Sequence, residues 1–126
     1  MANIVLIDLE QAVAAQMFLV FAPASHRIEY RSRDVGSRDL LDTDIVCCGG
    51  QPAFYLSILK SVRRDLPALP FIVVTRIPDT MTWLDALEAG ATDYISPPIE
   101  PRQLMWLLSR YVGRRELSSY RTRAFK

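Results

Sequence analysis

Two kinds of apolar patterning alternate along this chain. Asn3 to Ile7, Ile45 to Cys48, Phe71 to Val74 and Thr92 to Ile95 are short runs dominated by apolar and β-branched residues. Such runs suit strands covered on both faces of a sheet. Between them, apolar residues recur at helical spacing: Val13, Met17, Val20 and Phe21 within Gln11 to Phe21, and Tyr55, Ile58, Leu59 and Val62 within Phe54 to Arg64. Pro101 to Val112 carries Leu104, Leu107, Leu108 and Tyr111 in the same way. Thr80 to Ala89 predicts one more helix, with Leu84 and Leu87 inward and Gly90 as its stop. Arg27 to Ser32 alternates instead, with Ile28 and Tyr30 on one side, as an exposed edge strand does. Ser37 to Leu41 is only weakly helical.

Pro23, Gly49-Gly50 and the loop from Asp65 to Pro70 punctuate these elements. The order is strand, helix, strand, weak helix, then three strand–helix units. Parallel neighbours need crossover connections, and those are right-handed, so the alternation predicts a doubly wound α/β fold. Five strands and five helices make it a flavodoxin-like (βα)5 domain with a five-stranded parallel sheet. Thr75 then lies at the carboxyl end of the fourth strand, on the edge where such sheets carry their ligand chemistry.

A length of 126 residues fits one domain with its own core. The net charge of +1 provides no field to draw the chain to nucleic acid or acidic lipid. The two cysteines, Cys47 and Cys48, are adjacent, so on a strand they point to opposite faces and are read as small core residues. No basic leader precedes the first apolar run, which Asp8 interrupts, and no stretch reaches the ~20 apolar residues of a membrane span. A cytoplasmic protein with no membrane partner is expected. Residues 1–112 form the expected domain; 113–126 form a basic tail or helix extension, rich in arginine.

From Asn3 to about Val112 the chain resembles a response-regulator receiver domain of the CheY-like superfamily. In that family a Thr or Ser ends the fourth strand, an Ala-Gly-Ala-x-x-Tyr segment enters the fifth, and a Lys-Pro pair follows. Thr75, Ala89-Gly90-Ala91, Tyr94 and Pro98 match that pattern, whereas Pro97 takes the place of the lysine. The resemblance also implies a cis bond between Pro97 and Pro98.

Receivers move a phosphoryl group from histidine to an aspartate at the end of the third strand, with Mg²⁺ held by acids at the end of the first. Here Asp8 is followed by Leu9 where a second acid is usual, and Glu10 comes one residue late. Asp44 begins the family's Asp-x-x-x-x-Asp pattern, and Gly49 stands where its acceptor belongs. Arg76 follows Thr75, often the place of a small residue. The site positions Asp8, Leu9, Gly49, Thr75 and Pro97 thus describe a degenerate receiver that does not take phosphate on the usual residue, binds no metal or cofactor, and is not an enzyme. Asp8 is expected to pair with Arg76, Gly49-Gly50 to serve a tight turn, and His26 to lie at the surface.

The family's interaction face is the fourth helix, fifth strand and fifth helix. Trp83, Met105 and Trp106 lie beside the inward stripes of those helices, with the switch aromatic Tyr94 between them. Exposed aromatics there suit a protein partner, an output domain, or a second copy forming a homodimer. Nucleic acid is not an expected partner of this domain alone. Two other readings compete: a phosphorelay receiver phosphorylated at another residue, or the N-terminal regulatory domain of a transcription regulator. A flavodoxin-like enzyme holding a phosphorylated cofactor is disfavoured, because Asp8-Leu9-Glu10 sets negative charge where a phosphate would sit.

Overall fold

A computed structural model describes residues 2–76 and 79–112. Its elements are β1 (Asn3–Ile7), α1 (Gln11–Phe21), β2 (Arg27–Arg31), β3 (Ile45–Cys48), α2 (Pro52–Asp65), β4 (Phe71–Val74), α3 (Thr80–Glu88), β5 (Asp93–Ile95) and α4 (Pro101–Leu107). The five strands form one parallel sheet in the order β2-β1-β3-β4-β5. This is the doubly wound fold that the alternation predicts. No helix among the described residues is long and apolar enough to cross a membrane.

Successive strand residues feed two cores. Ile4, Leu6, Cys47 and Ile72 pack under α1 and α4, with Met17 and Leu104; Val5, Ile7, Cys48 and Val73 pack under α2 and α3, with Tyr55 and Ala86. β3 and β4 are buried at every position, so neither strand presents a face to water. β2 lies at the edge and its side chains are half-buried at best. Cys47 and Cys48 are buried free thiols, one in each core.

Four expectations are corrected. The second of the five helices is only a 3-10 turn over Ser37–Leu40, closed by Asp39, whose carboxylate accepts from the Gly36 N–H at 2.9 Å. On α3 the buried residue is Ala86, while Leu84 and Leu87 are 40% and 37% exposed. A small inward residue lets the helix approach the sheet closely, and its larger neighbours are turned outward. The last helix is α-helical only to Leu107 and continues as a π-helical turn over Leu108–Val112, with Tyr111 half-buried. His26 is half-buried rather than at the surface: its Nδ1 accepts from the Ala2 N–H at 3.0 Å. The tail 113–126 lies outside the described residues.

One cation holds the far end of the sheet together. Arg63 on α2 donates to the carbonyls of Gly90 and Leu69, both at 2.7 Å, and to the Thr92 hydroxyl at 3.2 Å. Thr92 Oγ1 also accepts from the Phe71 N–H at 2.9 Å, which ties the start of β4 to the approach to β5. Burial lowers the Arg63 pKa from its ordinary value. Gly90, at φ +103°, ends α3 as expected, and a Cβ there would lie 3.0 Å from the Arg63 side chain.

Candidate functional site

The carboxyl ends of β1, β3 and β4 open into a cleft of about 640 Å³. Asp8, Leu9, Gly49, Thr75 and Pro97 all line it, so residues from four separate segments of the chain meet at one sheet edge. Open α/β sheets place ligands at this edge because the crossover connections leave a crevice there. Tyr94 stands apart from this lining, at the outer strand β5.

The floor of the cleft is backbone. Gly49 is buried, and its N–H donates to the Ile7 carbonyl at 2.9 Å. A Cβ at this position would lie 2.9 Å from the Asp8 carbonyl oxygen, 3.0 Å from Leu9 Cδ2 and 3.3 Å from the Val74 carbonyl oxygen. Flanking strand ends therefore close over the place from which any side chain at this position would project. Gly50 follows at φ +90°, the tight turn expected of this pair.

The charges are arranged differently from the expectation. Asp8, at φ +50°, does not pair with Arg76: its carboxylate faces the Arg33 guanidinium at 3.5 Å, and Arg76 pairs with Glu10. The path of β2 decides this, because Arg33 leaves that strand beside the end of β1 and its guanidinium stacks 4.9 Å over the Phe54 ring. Sequence spacing carries no sign of it. Glu10 is the residue before α1 but makes no side-chain cap, leaving its carboxylate free to reach Arg76.

These groups do not fit the hard cation of receiver chemistry. Such a cation wants several oxygen ligands, yet Asp8 is engaged by arginine, Leu9 is apolar and Gly49 has no side chain. Among the described residues no three His, Cys, Asp or Glu side chains converge on one point. Burial pushes the Cys47 thiol up to about 12, and burial followed by the Asp8 carboxylate raises that of Cys48.

Tyr94 is half-buried, and its hydroxyl lies 3.0 Å from Thr82 Oγ1 on α3, a residue that also lines the cleft. Sequence reading passed over Thr82; its place one turn into a helix begun by Asp79 was the available signal. The Pro97-Pro98 bond is cis, as the resemblance implied. Beside β5, on opposite faces of the sheet, α3 and α4 expose Met81, Trp83, Met105 and Trp106, between 42% and 63% accessible. The Trp106 ring meets the edge of Tyr111 at 6.3 Å and lies under the Arg110 guanidinium at 5.3 Å.

Solved structures share the fold of this chain. A response regulator receiver domain protein from Clostridium thermocellum superposes with a TM-score of 0.76 at 19% identity, over 93% of this chain and 98% of that one. A protein described as pilus assembly-related from Burkholderia pseudomallei superposes at 0.73 with 26% identity, over 90% of each chain. The chain has the receiver fold. In sequence it is similar to the alginate biosynthesis transcriptional regulatory protein AlgB of Pseudomonas syringae pv. tomato, 33% identical over 64 residues. That match covers 51% of this chain and 14% of the regulator's length. No protein-family description matches the chain. Within the receiver fold, the cleft lies at the carboxyl ends of β1, β3 and β4, and β5, with α3 and α4 beside it, forms the sheet edge opposite β2.

Proposed function

We propose that this chain is a receiver-type signalling module that binds another protein and takes no phosphate on the usual residue. Gly49 carries the reading: it stands at the acceptor position, and the surrounding backbone leaves no space for a side chain. Asp8 held by Arg33, Leu9 in place of an acid and Pro97 in place of the lysine support the same conclusion. The module works in the cytoplasm without a cofactor or an activity of its own. Its partner docks on the β5 side, where Trp83, Tyr94, Met105 and Trp106 combine aromatic area with edge access. That partner is a separate protein, an output domain or a second copy of the chain.

Incubation with a small phosphodonor and Mg²⁺, followed by intact mass, tests the negative half. No phosphoryl adduct is expected; a stable adduct on any residue would establish a working phosphorelay receiver. For the positive half, Trp106→Ala and Trp83→Asp should each weaken capture of the partner or self-association, and unchanged binding by both would reject this face. The match to AlgB favours a second reading, the regulatory domain of a transcription regulator. Fused to a DNA-binding output domain, the module would then change its output when Trp106 is removed.

A further inference from the structure

The opposite edge of the sheet carries a surface that the β5 side does not explain. An apolar groove of about 570 Å³ runs between α1 and β2, lined by Leu6, Ala14, Ala15, Phe18, Ile28 and Tyr30. Phe18 and Tyr30 are each 52% exposed there. Beside it, β2 is an unpaired edge. The Arg27 N–H donates to the Ala2 carbonyl and the Arg31 carbonyl accepts from the Asp8 N–H, so the odd-numbered residues of β2 turn their backbone toward β1. In a strand the alternate residues turn the other way. Ile28 and Tyr30 therefore offer N–H and C=O groups to the open edge.

Edge strands are usually guarded by charge of one sign, which repels another copy. β2 instead reads Arg27-Ile28-Glu29-Tyr30-Arg31, with the signs alternating along the face opposite the groove. Antiparallel to itself and centred on Tyr30, this strand sets Glu29 opposite the second copy's Arg31, twice, at the close non-hydrogen-bonded positions. Tyr30 pairs with its own copy at a hydrogen-bonded position, which is what its outward backbone requires. Centring on Glu29 would oppose like charges. Centring on Ile28 would run the pairing past the start of β2 into Ser25, which is left-handed at φ +63°. Centring on Tyr30 runs past the other end, to Ser32 and Arg33, where Arg27 comes opposite the second copy's Arg33; within β2 itself the outward backbone groups and the charges agree.

We infer that this chain forms a two-fold dimer through β2, pairing antiparallel about Tyr30 into a continuous ten-stranded sheet. The axis is normal to the sheet, so both α1 helices stay on one face and the two grooves merge across it, covering Phe18 and Tyr30. This leaves the β5 side free for a different protein, and it does not depend on the reading given under Proposed function.

Sedimentation velocity over a concentration series tests it, with folding of each variant checked by circular dichroism. The wild-type chain should dimerise, and Glu29→Arg should weaken the dimer roughly tenfold or more by opposing four like charges. Adding Arg31→Glu to it should recover most of that loss, since the swap restores opposite signs. Tyr30→Cys should form an interchain disulfide on oxidation, the hydrogen-bonded spacing of ~5.5 Å between Cα atoms being right for one. Ile28→Cys, which faces Ser32 of the other copy, should not. A monomer at every concentration would overturn the inference. So would a dimer that ignores Glu29→Arg while dissolving with Trp106→Ala, which would place self-association on the β5 side.

Discussion

Adding a side chain at residue 49 is the sharpest test of why the cleft is built as it is. In Gly49→Ala the added Cβ meets the Asp8 carbonyl oxygen at 2.9 Å and the Val74 carbonyl oxygen at 3.3 Å. Leu9 Cδ2 at 3.0 Å is the tip of a flexible side chain and can yield, but the two oxygens belong to strand ends. The Gly49 N–H is bonded to the Ile7 carbonyl, so the glycine cannot retreat without losing a ladder bond. Overpacking of this kind costs about 1–3 kcal/mol. For a chain of 126 residues the unfolding entropy makes 1 kcal/mol worth about 4 °C in Tm, so Gly49→Ala should melt roughly 4–11 °C lower. Gly49→Asp adds a carboxylate near Asp8 and should lose at least as much. Urea titrations followed by tryptophan fluorescence give the free energies, and scanning calorimetry gives the Tm shifts. Intact mass after exposure to a phosphodonor and Mg²⁺ shows whether the new aspartate is modified, and no adduct is expected. An alanine variant as stable as the parent would refute the packing argument, and a phosphorylated aspartate variant would refute its functional consequence.

Two further outcomes rest on other parts of the fold. Arg63→Lys should lose about 2–3 kcal/mol in urea denaturation, nearly as much as Arg63→Met, because one ammonium cannot serve Gly90, Leu69 and Thr92 together; a fully stable lysine variant would contradict this. At pH 8, Cys47 should resist alkylation by iodoacetamide in the native protein and react in denaturant, since a thiol pushed up to about 12 is ionised in only about one molecule in ten thousand. Rapid native labelling would show that its strand opens.

The strands were legible in the sequence because burial on both faces leaves a signature within each segment. Ile45–Cys48 and Phe71–Val74 are buried throughout, and no partner needs to be known to read them. The edge character of β2 showed in its alternation for the same reason. α3 misled, because large apolar residues draw the eye when periodicity is read, while this helix packs through Ala86. Tyr94 was legible as a position but not as a contact; its bond to Thr82 spans twelve residues and two elements.

Residue identity alone determined what the cleft lacks: glycine at position 49, leucine at 9 and proline at 97 carry no carboxylate or ammonium wherever the backbone goes. The tertiary structure alone decided how the remaining charges pair and whether an added atom fits. Asp8 and Arg33 are held together by the sheet pairing of β1 with β2, and the space at Gly49 is set by two strand ends from distant parts of the chain. Patterning reports which way a residue faces within its own element. Distances between elements depend on how the layers settle against one another, and no local stretch of sequence encodes them.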